Sequence, residues 1–187
     1  LVADFADRKL YIADGHHRYE TALNYRNYCR ENGISKPGDP QDFQMIYLVD
    51  MEHPGLVVFP THRLVRDLPN FDKEAVLEKC SEFFYIDEKE GTDTMEEDLK
   101  KLYDEGKKAF GFYCGKGEWF LLTLKNIDIM SQMLPNVSKA SQSLDVSVLH
   151  TLILEKIFGI DKENMAKQIN LTYTKFFTEA IDGVDKG

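Results

Sequence analysis

Cysteine is scarce in this chain of 187 residues, and no two cysteines have the spacing of a metal-binding or redox pair. The three cysteines are Cys29, Cys80 and Cys114, an odd number of widely separated residues. A disulfide framework needs paired cysteines, and thiolate zinc sites commonly take them as C-x-x-C. The cysteine content therefore predicts a reducing, cytoplasmic setting and argues against a thiolate zinc site.

Long apolar runs and an excess of positive charge are also missing. No apolar run approaches the ~20 residues of a membrane-spanning helix, so no membrane partner is predicted. The formal net charge is −9, which disfavours binding to the phosphate backbone of a nucleic acid. The charge is uneven: residues 1–36 hold six Lys/Arg and five Asp/Glu, and the remainder holds 17 and 27. A small anionic ligand therefore suits the N-terminal part.

The ends of the chain resemble cuts between structural elements. Residue 1 is Leu, where natural N-termini usually carry Met, and the last residue is Gly187. We expect residues 1–187 to be one domain from a larger protein. Within it, residues 70–126 form a candidate subdomain with the order helix, strand, helix and hairpin.

Helical and strand patterns alternate along the chain. The clearest pattern is a hairpin, in which Ala109–Cys114 and Glu118–Leu124 flank a glycine-containing turn. Further strands are predicted at Leu10–Ala13, Phe43–Val49 and Gly55–Pro60. Because a hairpin requires antiparallel neighbours within an otherwise interspersed order, the pattern predicts an α+β fold with a mixed sheet.

The densest group of chemically active side chains follows the predicted strand at residues 10–13. This helix-start segment combines a tight turn with the first turn of a helix, and it comprises Asp14, Gly15, His16, His17, Arg18, Tyr19 and Glu20. Free backbone N–H groups and the positive end of the helix dipole meet at such a place. Two imidazoles and a guanidinium there predict an anion site, for which phosphate is the natural ligand.

Each side chain of the helix-start segment has a chemical role to offer. Gly15 lets a ligand approach the backbone, and the planar fork of Arg18 matches two oxygens. The predicted phosphate-binding residues are Gly15, His16, His17 and Arg18. Asp14, His17 and Glu20 are the candidate acids and bases for catalysis. The structural alternative is a common Asp-Gly turn with Asp14 as helix cap.

A second His-Arg pair, His62 and Arg63, follows the predicted strand at residues 55–60. It is predicted to form an opposite wall of the phosphate site if the two strand ends are neighbours, although polar residues at a strand end are also common. A zinc or manganese site built from Asp14, His16, His17 and His62 is the competing chemistry. No His-x-His or His-x-x-x-His spacing supports it, so no metal ligands are assigned.

The segment Tyr11–Leu23 resembles the signature of the family called domain of unknown function 1015. Further stretches agree with this family, namely Asp50–Met51, Pro54–Val57, Pro60–Leu64 and Leu144–His150. The resemblance covers most of the chain and implies a protein that is longer at both ends. The name of this family states no activity.

A shorter resemblance concerns phosphate binding. Gly15-His16-His17-Arg18-Tyr19 is similar to the Gly-Cys-His-Arg-Tyr segment of sulfiredoxin and to the phosphate-binding helix start of ParB-like nucleotide-binding domains and free-serine kinases. This resemblance implies that Gly15, His16, His17 and Arg18 contact nucleotide phosphates. The cofactor stays open, with ATP or ADP and Mg as the candidates. His16 stands where sulfiredoxin has its reactive Cys, so sulfinic-acid reduction is not implied.

These observations favour a cytoplasmic protein that binds a nucleotide or a phosphorylated small molecule, with phosphoryl transfer as the candidate reaction. In that reaction Arg18 would clamp oxygens and stabilise developing charge. Two alternatives stay open at this point. One is a non-catalytic module that senses an anion, and the other is a metal-dependent hydrolase.

Overall fold

The computed structural model describes the backbone of residues 2–187 and the side chains of residues 4–187. The chain divides into two compact units, Leu1–Val57 and Val58–Gly187. Helices and two small sheets confirm the predicted α+β class. Every strand pair in residues 2–187 is antiparallel, so the parallel pairing of a mixed sheet is not found there. None of the helices described combines the length and apolar character needed to cross a membrane.

The first unit is built around one long helix. Its elements are α1 (Val2–Phe5), α2 (His16–Glu31) and a 3-10 turn (Pro40–Asp42). The helix ends with Asn32 as its C-cap, and Gly33 follows in the left-handed region at φ +70°, a conformation that commonly ends a helix.

The loop that follows α2 returns to the end of the helix. Nη2 of Arg30 donates to both carboxylate oxygens of Asp42 at 2.7 Å. The N–H of Gly38 donates to the same carboxylate, and this bond, with help from Arg30, lowers the pKa of Asp42. The end of α2 and the loop are therefore held together by one acidic side chain.

The strands predicted in the first unit are not strands in the structure. Residues 10–13 and 43–49 have no strand assignment, and their side chains are exposed, including those of Tyr11, Phe43 and Tyr47. A strand exists only where a neighbouring strand accepts and donates its backbone hydrogen bonds. Sequence pattern alone indicates β-propensity and does not supply that neighbour.

The second unit contains all five strands of residues 2–187 and most of the helices. The strands are β1 (His62–Val65), β2 (Phe84–Glu90), β3 (Ala109–Gly115), β4 (Glu118–Leu124) and β5 (Leu171–Thr174). The helices are α3 (Lys73–Ser81), α4 (Met95–Asp104), α5 (Ile129–Met133), α6 (Lys139–Gln142), α7 (Asp145–Val148), a π-helix (Leu149–Ile157), α8 (Lys162–Lys167) and α9 (Phe177–Lys186). The strand predicted at residues 55–60 instead begins at His62, where β5 provides a partner.

The larger sheet has the order β2-β4-β3 and includes the predicted hairpin of β3 and β4. Its central strand supplies buried side chains to two clusters. Phe120 and Leu122 pack with the π-helix residues Leu152 and Ile153, whereas Trp119 packs with other neighbours. Residues 70–126 therefore contain the predicted helix, strand, helix and hairpin.

The smaller sheet is a ribbon of β1 and β5, and it places the second His-Arg pair. His62 lies opposite Thr174, and Arg63 lies opposite Tyr173. Near this ribbon, α9 comes so close that a Cβ added at Gly183 would overlap Leu64. Val65 packs in the cluster that includes the π-helix residue Leu154 and the β5 residue Leu171.

Candidate functional site

The helix-start segment begins α2 with glycine rather than aspartate as the cap. Gly15 is the N-cap, in the left-handed region at φ +81°, and no side chain caps the helix. The prediction that Asp14 caps the helix is therefore wrong. Glycine adopts this conformation without the steric cost that a Cβ imposes, and its carbonyl accepts the N–H of Tyr19 at 3.1 Å. None of the described side chains accepts a hydrogen bond from the first N–H groups of α2.

Arg18 folds back over the glycine that begins the helix. A Cβ added at Gly15 would lie 2.9 Å from Nη2 of Arg18. The nearest carboxylate pair is long, with 3.9 Å between Nη2 of Arg18 and Oδ2 of Asp14, whose side chains are 82% and 96% exposed. Such an exposed pair contributes little free energy, so the guanidinium is available to a ligand.

The two imidazoles of the segment are neighbours. The ring centroids of His16 and His17 lie 3.9 Å apart with an interplanar angle of 42°. Nδ1 of His17 is 3.8 Å from Oε2 of Glu20, which is beyond hydrogen-bond distance. The structure therefore places Asp14 beside Arg18 and Glu20 beside His17, with both carboxylates exposed.

A concavity of about 520 Å³ lies beside the helix start within the first unit. It is lined by His17, Arg18, Thr21, Ala22, Tyr25 and Gln44. Ligand sites commonly have volumes of about 300–1,000 Å³. The concavity is open to solvent and combines two cationic or hydrogen-bonding groups with the ring of Tyr25.

The second His-Arg pair belongs to the second unit, and its two side chains point to opposite faces of the ribbon. Successive residues of a strand alternate in this way. His62 lies edge-on to Phe177 at 6.0 Å, and its Nε2 is buried without a hydrogen-bond partner among the described residues. Burial, reinforced by Arg63, lowers the pKa of His62 despite an opposing effect of Glu96. That both His-Arg pairs face one ligand stays a prediction.

On the other face, Arg63 meets a histidine that is 87 positions away in the chain. Its Nη2 is 3.3 Å from Nε2 of His150, its Nη1 donates to the carbonyl of Thr61, and its guanidinium lies 5.7 Å from the centre of the Tyr173 ring. Burial lowers the pKa of Arg63. We call Arg63, His150 and Tyr173 the ribbon cluster.

The sequence identifies His150 only as the end of a stretch that resembles the family, and it gives Tyr173 no role. The contact of His150 with Arg63 depends on how the π-helix packs on the ribbon, which the stretch Leu144–His150 does not indicate. No signal in the sequence could have joined them.

Within residues 2–187, no three side chains of His, Cys, Asp or Glu are grouped as a metal site would require. The residues Asp14, His16 and His17 are near one another in the chain, but they are not joined into such a group. Burial raises the pKa of the Cys80 thiol and that of the partly buried Cys114 thiol to about 11, so both are protonated near neutral pH.

Comparison with known proteins gives one match. The model of a family described as "protein of unknown function (DUF1015)" matches residues 1–147. No curated protein and no solved structure matches the chain. The family match includes the helix-start segment and His62 and Arg63, but it ends before His150.

Proposed function

The chain belongs to the DUF1015 family of proteins of unknown function, and we propose that it binds a nucleotide or a phosphorylated small molecule at the helix-start segment. The observation that carries this proposal is the position of Arg18. Its guanidinium lies over a left-handed glycine at the start of a 16-residue helix, and among the described residues its one ion-pair partner is the exposed carboxylate of Asp14, 3.9 Å away.

The surroundings of Arg18 suit a phosphate group. The backbone N–H groups at the start of α2 and the helix dipole attract an anion, and a guanidinium fork binds two oxygens at once. His16 and His17 add further hydrogen-bond donors. The concavity beside Arg18 has room for the rest of a ligand, and the Tyr25 ring offers an apolar surface to a base or another flat group. The resemblance of Gly15–Tyr19 to nucleotide-binding helix starts supports the same choice.

Phosphoryl transfer is the reaction that this site would serve as an enzyme, with ATP or ADP and Mg as cofactors. Arg18 would hold the transferred group, His17 would donate a proton or a hydrogen bond, and Asp14 or Glu20 would act as base or hold the magnesium ion. The carboxylates of Asp14 and Glu20 are exposed, so a bound substrate would have to fix their positions before they could take these roles.

A second candidate function is non-catalytic sensing of the same ligand. The openness of the concavity favours it, since catalytic sites for phosphoryl transfer usually exclude water. The two functions predict the same binding and differ in turnover. Release of phosphate or formation of a phosphorylated product would support the enzyme, and stoichiometric binding without either would support the sensor.

Replacing Arg18 with alanine should weaken ligand binding by about 10- to 100-fold. The estimate assumes the loss of charge-assisted hydrogen bonds worth about 1.5–3 kcal/mol. Isothermal titration calorimetry with ATP, ADP, CTP, GTP and inorganic phosphate would measure it. Arg26→Ala, further along the same helix, is the matched control because it removes the same charge outside the concavity. An unchanged Kd for Arg18→Ala would contradict the proposal.

Two glycine variants separate the role of the backbone from general strain. Gly15→Ala and Gly33→Ala both put a side chain in the left-handed region at opposite ends of α2. Both should cost about 1–2 kcal/mol of stability. The Cβ at Gly15 meets the guanidinium of Arg18, whereas no atom of the described residues lies within 4 Å of a Cβ at Gly33. We therefore expect weaker phosphate binding, measured by calorimetry, in Gly15→Ala alone. Equal loss in both variants would show that strain in α2 is the cause.

A further inference from the structure

We propose that the ribbon cluster of Arg63, His150 and Tyr173 is a second oxyanion site, which binds one carboxylate or phosphate group. It goes beyond the proposed function, because it lies in the second unit and uses none of the residues of the helix-start segment. The three side chains come from β1, the π-helix and β5, respectively, and they meet at one place.

The first argument is an uncompensated charge. Arg63 is partly buried, and among the described residues no carboxylate lies within 4.0 Å of its guanidinium. Removing a cation from water is costly unless an anion or full hydrogen bonding replaces the lost hydration. The polar partners of Arg63 are neutral, namely the Thr61 carbonyl and the His150 ring. An oxyanion is the missing counter-charge.

The second argument is the count of hydrogen-bond donors. A guanidinium donates through five N–H groups and accepts no hydrogen bonds. In the structure one terminal nitrogen donates to Thr61 and the other faces His150, so each keeps a further N–H. Nε of Arg63 is buried without a partner among the described residues. Each terminal nitrogen thus has one N–H left that can donate to an oxygen of a ligand.

The third argument is that the fork is held in place. The guanidinium of Arg63 packs on the ring of Tyr173, its partner in the antiparallel register. Arg63 donates at all times, so Nε2 of His150 must accept and the imidazole proton lies on Nδ1. His150 in turn is fixed by the π-helix, whose Leu152, Ile153 and Leu154 are buried. π-helical segments are uncommon and occur frequently at functional sites.

The charge of the chain limits the ligand to a small group. The net charge of −9 repels extended polyanions. It has little effect on a single oxyanion, because the nearby positive charge of one guanidinium outweighs it. Carboxylate and phosphate share the geometry that the fork binds, so the test must include both.

Nuclear magnetic resonance of His150 tests this site in the full chain. Sodium acetate and inorganic phosphate are titrated separately at constant ionic strength, set with chloride. We expect a saturable shift of the His150 ring signals with at least one anion. A response to phosphate alone, to acetate alone or to both identifies the ligand chemistry. No response to either anion would overturn the proposal.

Variants show whether Arg63 causes the response. Arg63→Met removes the charge and keeps an apolar stem, so without ligand its melting temperature should equal or exceed that of the unchanged protein. It should lose the anion response, and Arg63→Lys should bind at least about fivefold more weakly, because an ammonium lacks the planar fork. A response that persists in Arg63→Met would also overturn the proposal.

The same titration distinguishes this proposal from the proposed function. Arg18→Ala should keep the His150 response while binding nucleotide more weakly at the helix start. Arg63→Met should lose the His150 response, whereas nucleotide binding at the helix start is tested by Arg18→Ala. Each site therefore fails or succeeds in its own variant.

Discussion

Replacing Trp119 with alanine should lower the free energy of unfolding of the second unit by about 3–5 kcal/mol, as is typical for a fully buried aromatic side chain. Trp119 is 0% exposed and lies on β4, the central strand of the larger sheet. It packs with Met95 of α4 and Leu121. Removing the indole would leave a cavity. The helix α4 and the sheet cannot move to fill it, because each is held by its own backbone hydrogen bonds.

The indole also makes a specific polar contact. Its Nε1–H donates to the carbonyl of Gly91 at 2.8 Å. Trp119→Phe keeps most of the apolar surface and removes this donor, so it should cost about 1–3 kcal/mol, less than the alanine variant. Since Trp119 is the only tryptophan of the chain, urea unfolding should be followed by far-ultraviolet circular dichroism rather than by fluorescence.

An exposed aromatic residue on the neighbouring strand provides the control. Tyr85 on β2 is 65% exposed, and Tyr85→Ala should change the stability by no more than about 0.5 kcal/mol. If Trp119→Ala costs as little as Tyr85→Ala, Trp119 is not central to the core.

The Trp119 cluster also connects the core to the side of the ribbon that carries His62. Phe177 and Ile181 of α9 pack on this cluster, and Phe177 contacts the ring of His62. At the other end of α9, Asp185 accepts hydrogen bonds from the N–H of Lys116 and the hydroxyl of Tyr113. These bonds lower the pKa of Asp185 and tie α9 to the hairpin turn. Loss of Trp119 should therefore also loosen the surroundings of His62.

Local patterns in the sequence predicted the elements whose structure depends on local contacts. The hairpin formed by β3 and β4 needs only alternation on its arms and the left-handed residues Gly115, Lys116 and Gly117 between them. Likewise α4 has Met95, Leu99 and Leu102 on one face, and these side chains pack on the sheet. In such elements the residues that form the pattern also contact one another.

Elements that depend on distant partners could not be predicted in the same way. The segments at residues 10–13 and 43–49 have strand-like composition, yet a strand requires a second chain segment at hydrogen-bond distance. The cap of α2 shows a local version of this limit. Asp14 is a good cap by residue type, but Gly15 takes the position because its left-handed conformation turns the chain into the helix.

The two candidate sites differ in the same respect. The helix-start segment could be recognised because Gly15, His17 and Arg18 are neighbours in sequence and remain neighbours in one helical turn. The ribbon cluster could be predicted only in part, since Arg63 was identified by its neighbour His62. In the structure those two residues face opposite ways, and the partner of Arg63 is His150.

Acidification should destabilise the second unit because of its two partly buried histidines. Burial lowers the pKa of His150, and the charge of Arg63 lowers it further. The pKa of His62 is lowered for the same two reasons. In the unfolded chain both imidazoles take up protons near pH ~6.5. Below that pH the unfolded state binds more protons than the folded state, so the free energy of unfolding falls as the pH falls.

Urea unfolding at pH values from 7.5 to 5 would measure this effect, to which each histidine contributes at most about 1.4 kcal/mol per pH unit. His150→Gln keeps an acceptor for Arg63, and combined with His62→Gln it should flatten the acid side of the profile. An unchanged profile in the double variant would assign the acid sensitivity to other groups.

If an oxyanion binds Arg63, it also offsets the positive charge that a protonated His150 would add. Phosphate or acetate should then reduce the loss of stability at low pH in the unchanged protein and have no such effect in Arg63→Met.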